Sequence, residues 1–149
     1  MTTIYIALGS NKGSSLILVQ KALSELSKLG SDFQASKLYE TAPIDCEGGP
    51  FINAVCSFET DISLNDFIPI LENIEKSLGK TAKTKAEARF IDLDILFYGS
   101  LEYCLLGYTI PHPAWQERGF VLTPLSDIIE EITIAGKSFK IKDLCKKLS

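Results

Sequence analysis

No Cys-x-x-Cys pair occurs in this chain: Cys46, Cys56, Cys104 and Cys145 lie scattered along 149 residues. That spacing excludes the common zinc arrangements, and a chain of this size needs no disulfide framework. Reduced thiols in a cytoplasmic protein are the expectation. A basic excess is missing too. Fifteen Lys and Arg face nineteen Asp and Glu, for a formal charge of −4 and a pI near 5.0. This argues against nucleic acid as the main partner, because phosphate backbones demand a basic face. No apolar run approaches the roughly 18 residues of a membrane span, and Met1-Thr2-Thr3 opens no secretory-type segment. Repeats and low-complexity linkers are absent, as are the glycine fingerprints G-x-G-x-x-G and G-x-x-x-x-G-K-[ST]. Histidine is represented by His112 alone.

What is present is 46% hydrophobic and 23% charged, which fits one globular domain over residues 1–149, burying on the order of 68–70% of its unfolded surface. Its central stretch runs from Arg89 to Phe97 and stops at Tyr98-Gly99-Ser100. β-branched and aromatic residues dominate it, so it reads as a buried strand. Alternation puts Asp92 and Asp94 on one face, with α-carbons roughly 6.5–7 Å apart at about 3.3 Å per residue. Ile91, Leu93, Ile95 and Phe97 then form the opposite, core face. Neighbouring carboxylates repel, and water or cations must relieve them. Oxygen-only ligands suit Mg²⁺, and two such ions about 3.5–4 Å apart clamp the oxygens of a displacement at phosphorus. A half-exposed strand with solvated acids fits the same residues.

The flanking segments read as follows. Thr3–Leu8 is a strand turned by Gly9-Ser10-Asn11, and a helix from Ser14 or Ser15 carries Leu16, Val19, Leu23, Leu26 and Leu29 on one stripe, with Gly30 as its C′ residue. Phe33–Thr41 is a strand that enters a Pro- and Gly-rich loop, and Phe51–Glu59 is the next, with Phe51, Asn53 and Val55 on one face. An Asn among apolar neighbours needs a partner for its amide, either backbone (the preferred reading) or the amide edge of a flat heterocycle. Ser63-x-x-Asp66 caps a helix striped by Leu64, Phe67, Leu71, Ile74 and Leu78 and closed by Gly79; Pro69 predicts a kink or a start near Ile68. Glu72 and Glu75 share a helix side, as solvated acids or as part of a site. Lys80, Lys83, Lys85 and Arg89 make a basic loop beside the acidic strand, suited to polyphosphate or to plain surface. A hairpin, Leu101–Cys104 with Tyr108–Ile110, leads to Pro111-His112-Pro113, Trp115 and Arg118. Arg118 is a candidate partner for a phosphate or a strand carboxylate. Val121–Ile129 is partly helical, and Ser138 is a candidate cap for a last helix with Ile141, Leu144, Cys145 and Leu148 along one side.

Several segments carry a collective likeness. Tyr5-Ile6-Ala7-Leu8-Gly9-Ser10-Asn11, Tyr39-Glu40-Thr41-Ala42-Pro43, Phe51-Ile52-Asn53-Ala54-Val55, Glu75 with Leu78-Gly79-Lys80, Arg89 with Ile91-Asp92-Leu93-Asp94-Ile95-Leu96, and Pro111-His112-Pro113 with Arg118-Gly119-Phe120-Val121-Leu122 and Pro124-Leu125 follow one another across nearly the whole chain. With them the chain resembles the 6-hydroxymethyl-7,8-dihydropterin pyrophosphokinase family. The resemblance implies an α/β (α+β) ferredoxin-like sandwich, an antiparallel sheet with packed helices plus a C-terminal hairpin and short helices. It also implies transfer of the β,γ-pyrophosphoryl group from ATP to the pterin hydroxymethyl in folate biosynthesis, leaving AMP. By the same resemblance Asp92 and Asp94 would hold two Mg²⁺ ions, one bridging the α- and β-phosphates and one bridging β and γ and carrying the attacking hydroxyl. Phe51 and Phe120 match the positions that sandwich the pterin. Asn53 matches the reader of its amide edge, with Thr41, Pro43 and Ile44 lending backbone groups. Arg89, His112 and Arg118 match positions near the polyphosphate or pterin. Glu72, Glu75, Lys80, Lys83, Lys85, Ile95, Thr109 and Pro113 fall on the nucleotide side. Small molecules are the implied partners, and the chain is expected to act as a cytoplasmic monomer.

One region departs from the family pattern. Before the Asp pair the family usually reads Arg-Trp-Gly-Pro-Arg, whereas this chain has Lys85-Ala86-Glu87-Ala88-Arg89, about one residue short. The missing Trp normally helps that loop close, and Trp115 is a candidate substitute. Gly107 stands where a basic residue is common. Two other classes stay open on the residues: a different Mg²⁺-dependent phosphoryl or nucleotidyl transferase, and a non-catalytic ferredoxin-like binding module.

Overall fold

Strict alternation in the first strand, β1 (Thr2–Ser10), sends Ile4, Ile6 and Leu8 to one face and Tyr5 and Ala7 to the other. The computed structural model describes residues 1–11, 14–41, 50–79, 91–105 and 107–148. In it β1 lies at the centre of a sheet, antiparallel to β4 (Phe51–Thr60) on one side and β5 (Asp92–Tyr98) on the other. The far edge of β4 takes β2 (Ser31–Ala35) and then β3 (Tyr39–Thr41), both antiparallel. The order β2-β4-β1-β5 is joined by two helices, α1 (Ser15–Ser27) and α2 (Leu64–Ser77). This is the β-α-β-β-α-β plan of a ferredoxin-like sandwich, as expected.

Both helices cover the Ile4/Ile6/Leu8 face. Val19, Ala22 and Leu26 of α1 and Leu64, Phe67, Leu71 and Ile74 of α2 pack there against Phe58, Ile91, Leu93 and Ile95. The second face has its own apolar cluster, where Val55, Leu96 and Phe97 meet Trp115, Val121, Leu122 and Leu125 of α3 (Gly119–Ser126) and Ile141 and Leu144 of α4 (Ile141–Lys147). Two small hairpins complete the chain: β6 (Tyr103–Leu105) with β7 (Tyr108–Ile110), and β8 (Glu131–Ile134) with β9 (Lys137–Lys140). Among the described residues no helix is long and apolar enough to cross a membrane.

Several expectations are corrected here. Gly9 and Ser10 belong to β1 and are not a turn. The expected strand Phe33–Thr41 is broken at Ser36–Leu38, because the Ser36 hydroxyl accepts from Val55 N (2.9 Å) while Ser36 N donates to Val55 O (2.8 Å). Leu16 is exposed, and Ala22 takes its place on the buried stripe of α1. Gly30 does not cap that helix through a positive φ; a Cβ there would collide with the Glu59 carbonyl, so close approach to β4 is what requires glycine. The second helix begins at Leu64 and runs through Pro69, with the Ser63 side chain accepting from Asp66 N as predicted and Gly79 following at φ 101°. Ser138 lies in β9, hydrogen-bonded to Thr133, and Lys140 occupies the N-cap of α4.

The largest correction concerns Phe97. Ile95 pairs with Ile6, yet Phe97 pairs with Tyr5, leaving Leu96 as the extra residue of a β-bulge. The bulge resets the alternation, so Leu96 and Phe97 join the second cluster while Ile95 stays in the first.

Candidate functional site

The candidate site is the half of the second face that α3 and α4 leave open. Register builds it. Asp92 stands opposite Gly9, Gly9 opposite Asn53, and Asn53 opposite Tyr39; Asp94 stands opposite Ala7 and Ala7 opposite Val55. Phe51 follows Asn53 on the same face and pairs with Thr41. Facing residues of neighbouring strands point to one side of a sheet, so Thr41, Phe51, Asn53, Asp92 and Asp94 share a surface floored by Ala7 and Gly9. Two strand spacings separate Asn53 from Asp92, about 10 Å between α-carbons. The expected common face of the two aspartates is therefore observed.

Asn53 is buried, at 5% exposure. Its Nδ2 donates to Thr41 Oγ1 at 2.8 Å, so the partner is a side chain rather than the backbone favoured from sequence. A Cβ built on Gly9 would stand 3.2 Å from Asn53 Oδ1 and 3.8 Å from the Phe51 ring. Glycine at position 9 thus lets the Asn53 amide and the Phe51 ring lie down over β1. The sequence signal for this floor was the i, i+2 pair of small residues, Ala7 and Gly9.

Asp92 is half-buried and Asp94 exposed. Among the described residues no group of three His, Cys, Asp or Glu side chains is placed to hold a metal ion. The pair itself offers oxygen ligands only, beside the smallest residues of the sheet. That donor set fits Mg²⁺, which normally binds one or two carboxylates and completes its octahedron with water and phosphate oxygens.

The Pro111–Arg118 segment borders this surface. His112 N donates to the carbonyl of the bulged Leu96 (3.0 Å), and His112 O accepts from Trp115 N (3.2 Å). Ala114 N donates to His112 Nδ1 (3.3 Å), which assigns the imidazole proton to Nε2 in the neutral ring. Trp115 is 3% exposed and meets Phe97 and Phe139 edge-on, with centroids 5.0 and 5.5 Å away. It is therefore an anchor in the core, and the suggestion that it substitutes for a loop tryptophan is corrected. Phe120, in the first turn of α3, is 42% exposed. The Arg118 guanidinium lies 5.5 Å from its ring centroid, and among the described residues Arg118 pairs with no strand carboxylate. The other end of α3 is tied to β3: Asp127 Oδ2 accepts from Tyr39 Oη (2.7 Å) and Lys37 N (3.1 Å). That carboxylate pushes the Tyr39 phenol up to about 12. No sequence signal marked this tie.

Of the residues that the resemblance assigns to a nucleotide, Glu72 accepts through Oε2 from Tyr108 Oη (3.2 Å), which joins α2 to β7. Glu75 is buried, and its Oε2 accepts from Leu93 N at 2.9 Å. Ile95 is in the core at 4% exposure, so only its main chain can meet a ligand. Thr109 and Pro113 are exposed. Pro43, Ile44, Lys80, Lys83, Lys85 and Arg89 lie outside the described residues.

A family model described as 7,8-dihydro-6-hydroxymethylpterin-pyrophosphokinase matches residues 5–130. The chain belongs to this family. A curated pyrophosphokinase relative, 2-amino-4-hydroxy-6-hydroxymethyldihydropteridine pyrophosphokinase of Haemophilus influenzae, is 32% identical over all of this chain and 94% of its own length. The folic acid synthesis protein fol1 of Pneumocystis carinii is 39% identical over 97% of this chain, which spans only 20% of that protein. Among solved structures, the HPPK-DHPS protein of Plasmodium falciparum with pteroate superposes with a TM-score of 0.77 at 17% identity, over 99% of this chain and 42% of its own. That likeness shows the fold. The pyrophosphokinase family and the ferredoxin-like sandwich expected from sequence are thus both observed.

Proposed function

We propose that this chain transfers the β,γ-pyrophosphoryl group of ATP to the hydroxymethyl of 6-hydroxymethyl-7,8-dihydropterin, releasing AMP, as its family and the pyrophosphokinase relative suggest. The observation that carries this reading is the single surface bearing Asn53 and Phe51 at one end and Asp92 and Asp94 at the other. Its span suits a bicyclic ring whose amide edge meets Asn53 and whose hydroxymethyl arm reaches the acids.

In this reading Thr41 holds the Asn53 side chain so that its carbonyl oxygen is presented to the ring's amide edge. Phe51 supplies one stacking face, and Phe120, exposed on α3, supplies the other. Asp92 and Asp94 would hold two Mg²⁺ ions, which when bound neutralise the triphosphate and polarise the phosphorus under attack. His112 donates from Nε2 to a phosphate oxygen, its ring steadied by Ala114 N. Arg118 adds a positive charge beside the Phe120 ring, and Arg89 with the lysines at 80, 83 and 85 would add charge that offsets the polyphosphate. The outward N–H of Leu93 on β5 puts that of Ile95 on the same edge by alternation, where an adenine acceptor can meet it. Positioning and charge neutralisation then supply most of the rate.

The test is to incubate the chain with ATP, Mg²⁺ and the hydroxymethyl dihydropterin and to identify the nucleotide by ³¹P NMR. AMP together with a diphosphorylated pterin is the expected result. ADP would mean transfer of a single phosphoryl group, and no turnover would mean a binding module; either outcome overturns the proposal.

A further inference from the structure

Glu75 is the only charged side chain among the described buried residues, at 8% exposure. A carboxylate out of water is costly unless its oxygens are used. One of them accepts from Leu93 N at 2.9 Å, and Leu93 is the residue between Asp92 and Asp94. β5 is an edge strand, so its outward N–H groups have no neighbouring strand to bond. On the inner edge Asp92 and Asp94 pair with Gly9 and Ala7; on the outer edge the Glu75 carboxylate takes the place of a strand. The Leu93 side chain is meanwhile sunk in the core cluster to which Leu71 and Ile74 of the same helix also belong. The backbone at position 93 is therefore held by α2 and its side chain by the core.

We infer that Glu75 is a positioning residue for the aspartate pair: its bond to Leu93 N fixes the backbone between Asp92 and Asp94, and so the spacing and direction of their carboxylates toward divalent cations. This deepens the reading in which the pair binds metal and rests on it. It differs from a role for Glu75 in touching the nucleotide. A charge-assisted bond to a backbone amide is stronger than a neutral one, and outer-shell groups that orient metal-ligating side chains typically change metal affinity by about 10–100-fold when removed.

The experiment uses the full chain and Mn²⁺ as the probe, with a non-hydrolysable ATP analogue present, and reads free Mn²⁺ by electron paramagnetic resonance. Glu75→Leu should weaken Mn²⁺ binding by about 10–100-fold, leave the affinity for the analogue in EDTA unchanged, and speed exchange of the Leu93 amide. Glu75→Gln, which keeps an acceptor oxygen, should restore Mn²⁺ affinity to within a few-fold of the wild type. Glu75→Asp, one methylene short of Leu93, should resemble the Leu variant and serves in its place if that variant does not fold. Unchanged Mn²⁺ affinity in both Glu75→Leu and Glu75→Asp overturns the inference. So does a loss of metal-free analogue binding with Mn²⁺ affinity intact, which would assign Glu75 to the ligand itself. A wild type whose Mn²⁺ binding is unaffected by Asp92→Ala or Asp94→Ala overturns the metal reading beneath it, an outcome distinct from failure at position 75 alone.

Discussion

The two faces of the sheet follow opposite rules. On the face under α1 and α2, the inward residues of β1, β4 and β5 are apolar and covered, with Ile4, Ile6 and Phe58 almost inaccessible. On the other face, helices cover only the end near Tyr5, Val55 and Phe97, and the remaining residues, Phe51 apart, are small or polar: Ala7, Gly9, Asn53, Asp92, Asp94. The strands β1, β4 and β5 each serve both. The difference teaches that stability and chemistry in this fold are separable across a single layer of backbone, so changes to the two faces should fail in different ways.

The sharpest break is at the acids. Asp92→Ala or Asp94→Ala should reduce kcat by about 10³-fold or more, since metal-centred charge stabilisation is worth several kcal/mol, while the thermal unfolding midpoint stays near that of the wild type. Near-normal turnover in either variant would erase the distinction between the faces. On the closed face, Phe67→Ala should do the reverse. Its ring is 0% exposed and lies 5.9 and 6.0 Å from those of Phe58 and Tyr98, so truncation should cost about 3–5 kcal/mol of stability with kcat per folded molecule preserved. Urea unfolding and active-site titration measure the two quantities.

Smaller effects sharpen the contrast within the open face. Phe120→Ala should weaken pterin binding by about 1–3 kcal/mol, the scale of a lost stacking partner for a flat heterocycle, with ATP-analogue affinity unchanged by calorimetry. Gly9→Ala should do the same more mildly, about tenfold in pterin affinity or 1.4 kcal/mol, because the new methyl presses on Asn53 Oδ1 at 3.2 Å. The least effect is at Tyr39. With its phenol raised to about 12 by Asp127, the bond tying β3 to α3 is fully present below the usual tyrosine range and is lost as pH climbs from about 10 to about 12. Tyr39→Phe should remove a step near pH 12 from the phenolate absorbance titration and leave neutral-pH turnover near normal.

Much of this layout was legible in the residues. Alternation put Asp92 beside Asp94 and Asn53 beside Phe51, and Ser63 with Asp66 marked the start of α2. What escaped was whatever depends on neighbours distant in sequence. Phe97 looked continuous with Ile95 because period-2 reasoning cannot foresee a bulge. Gly30 looked like a cap, yet its reason is the Glu59 carbonyl on another strand. Asn53 was assigned to backbone, but its partner is Thr41, brought opposite Phe51 only by the β3–β4 pairing. Glu75 read as a solvated acid or as part of a site, and its burial follows only from the packing of α2 along the edge of β5.

The bulge at Leu96 also keeps count for the whole site. Upstream of it the strand's odd-numbered residues face the helices, and downstream the parity is reversed, which is how carboxylates and aromatic anchors come to occupy the same side. Without the bulge, and with every residue kept, Phe97 would fall in phase with Ile95 and have to enter a core already filled by Phe58 and Phe67. To keep the aromatic where Trp115 expects it, the chain would have to slide by one, and both aspartates would then turn inward toward oil.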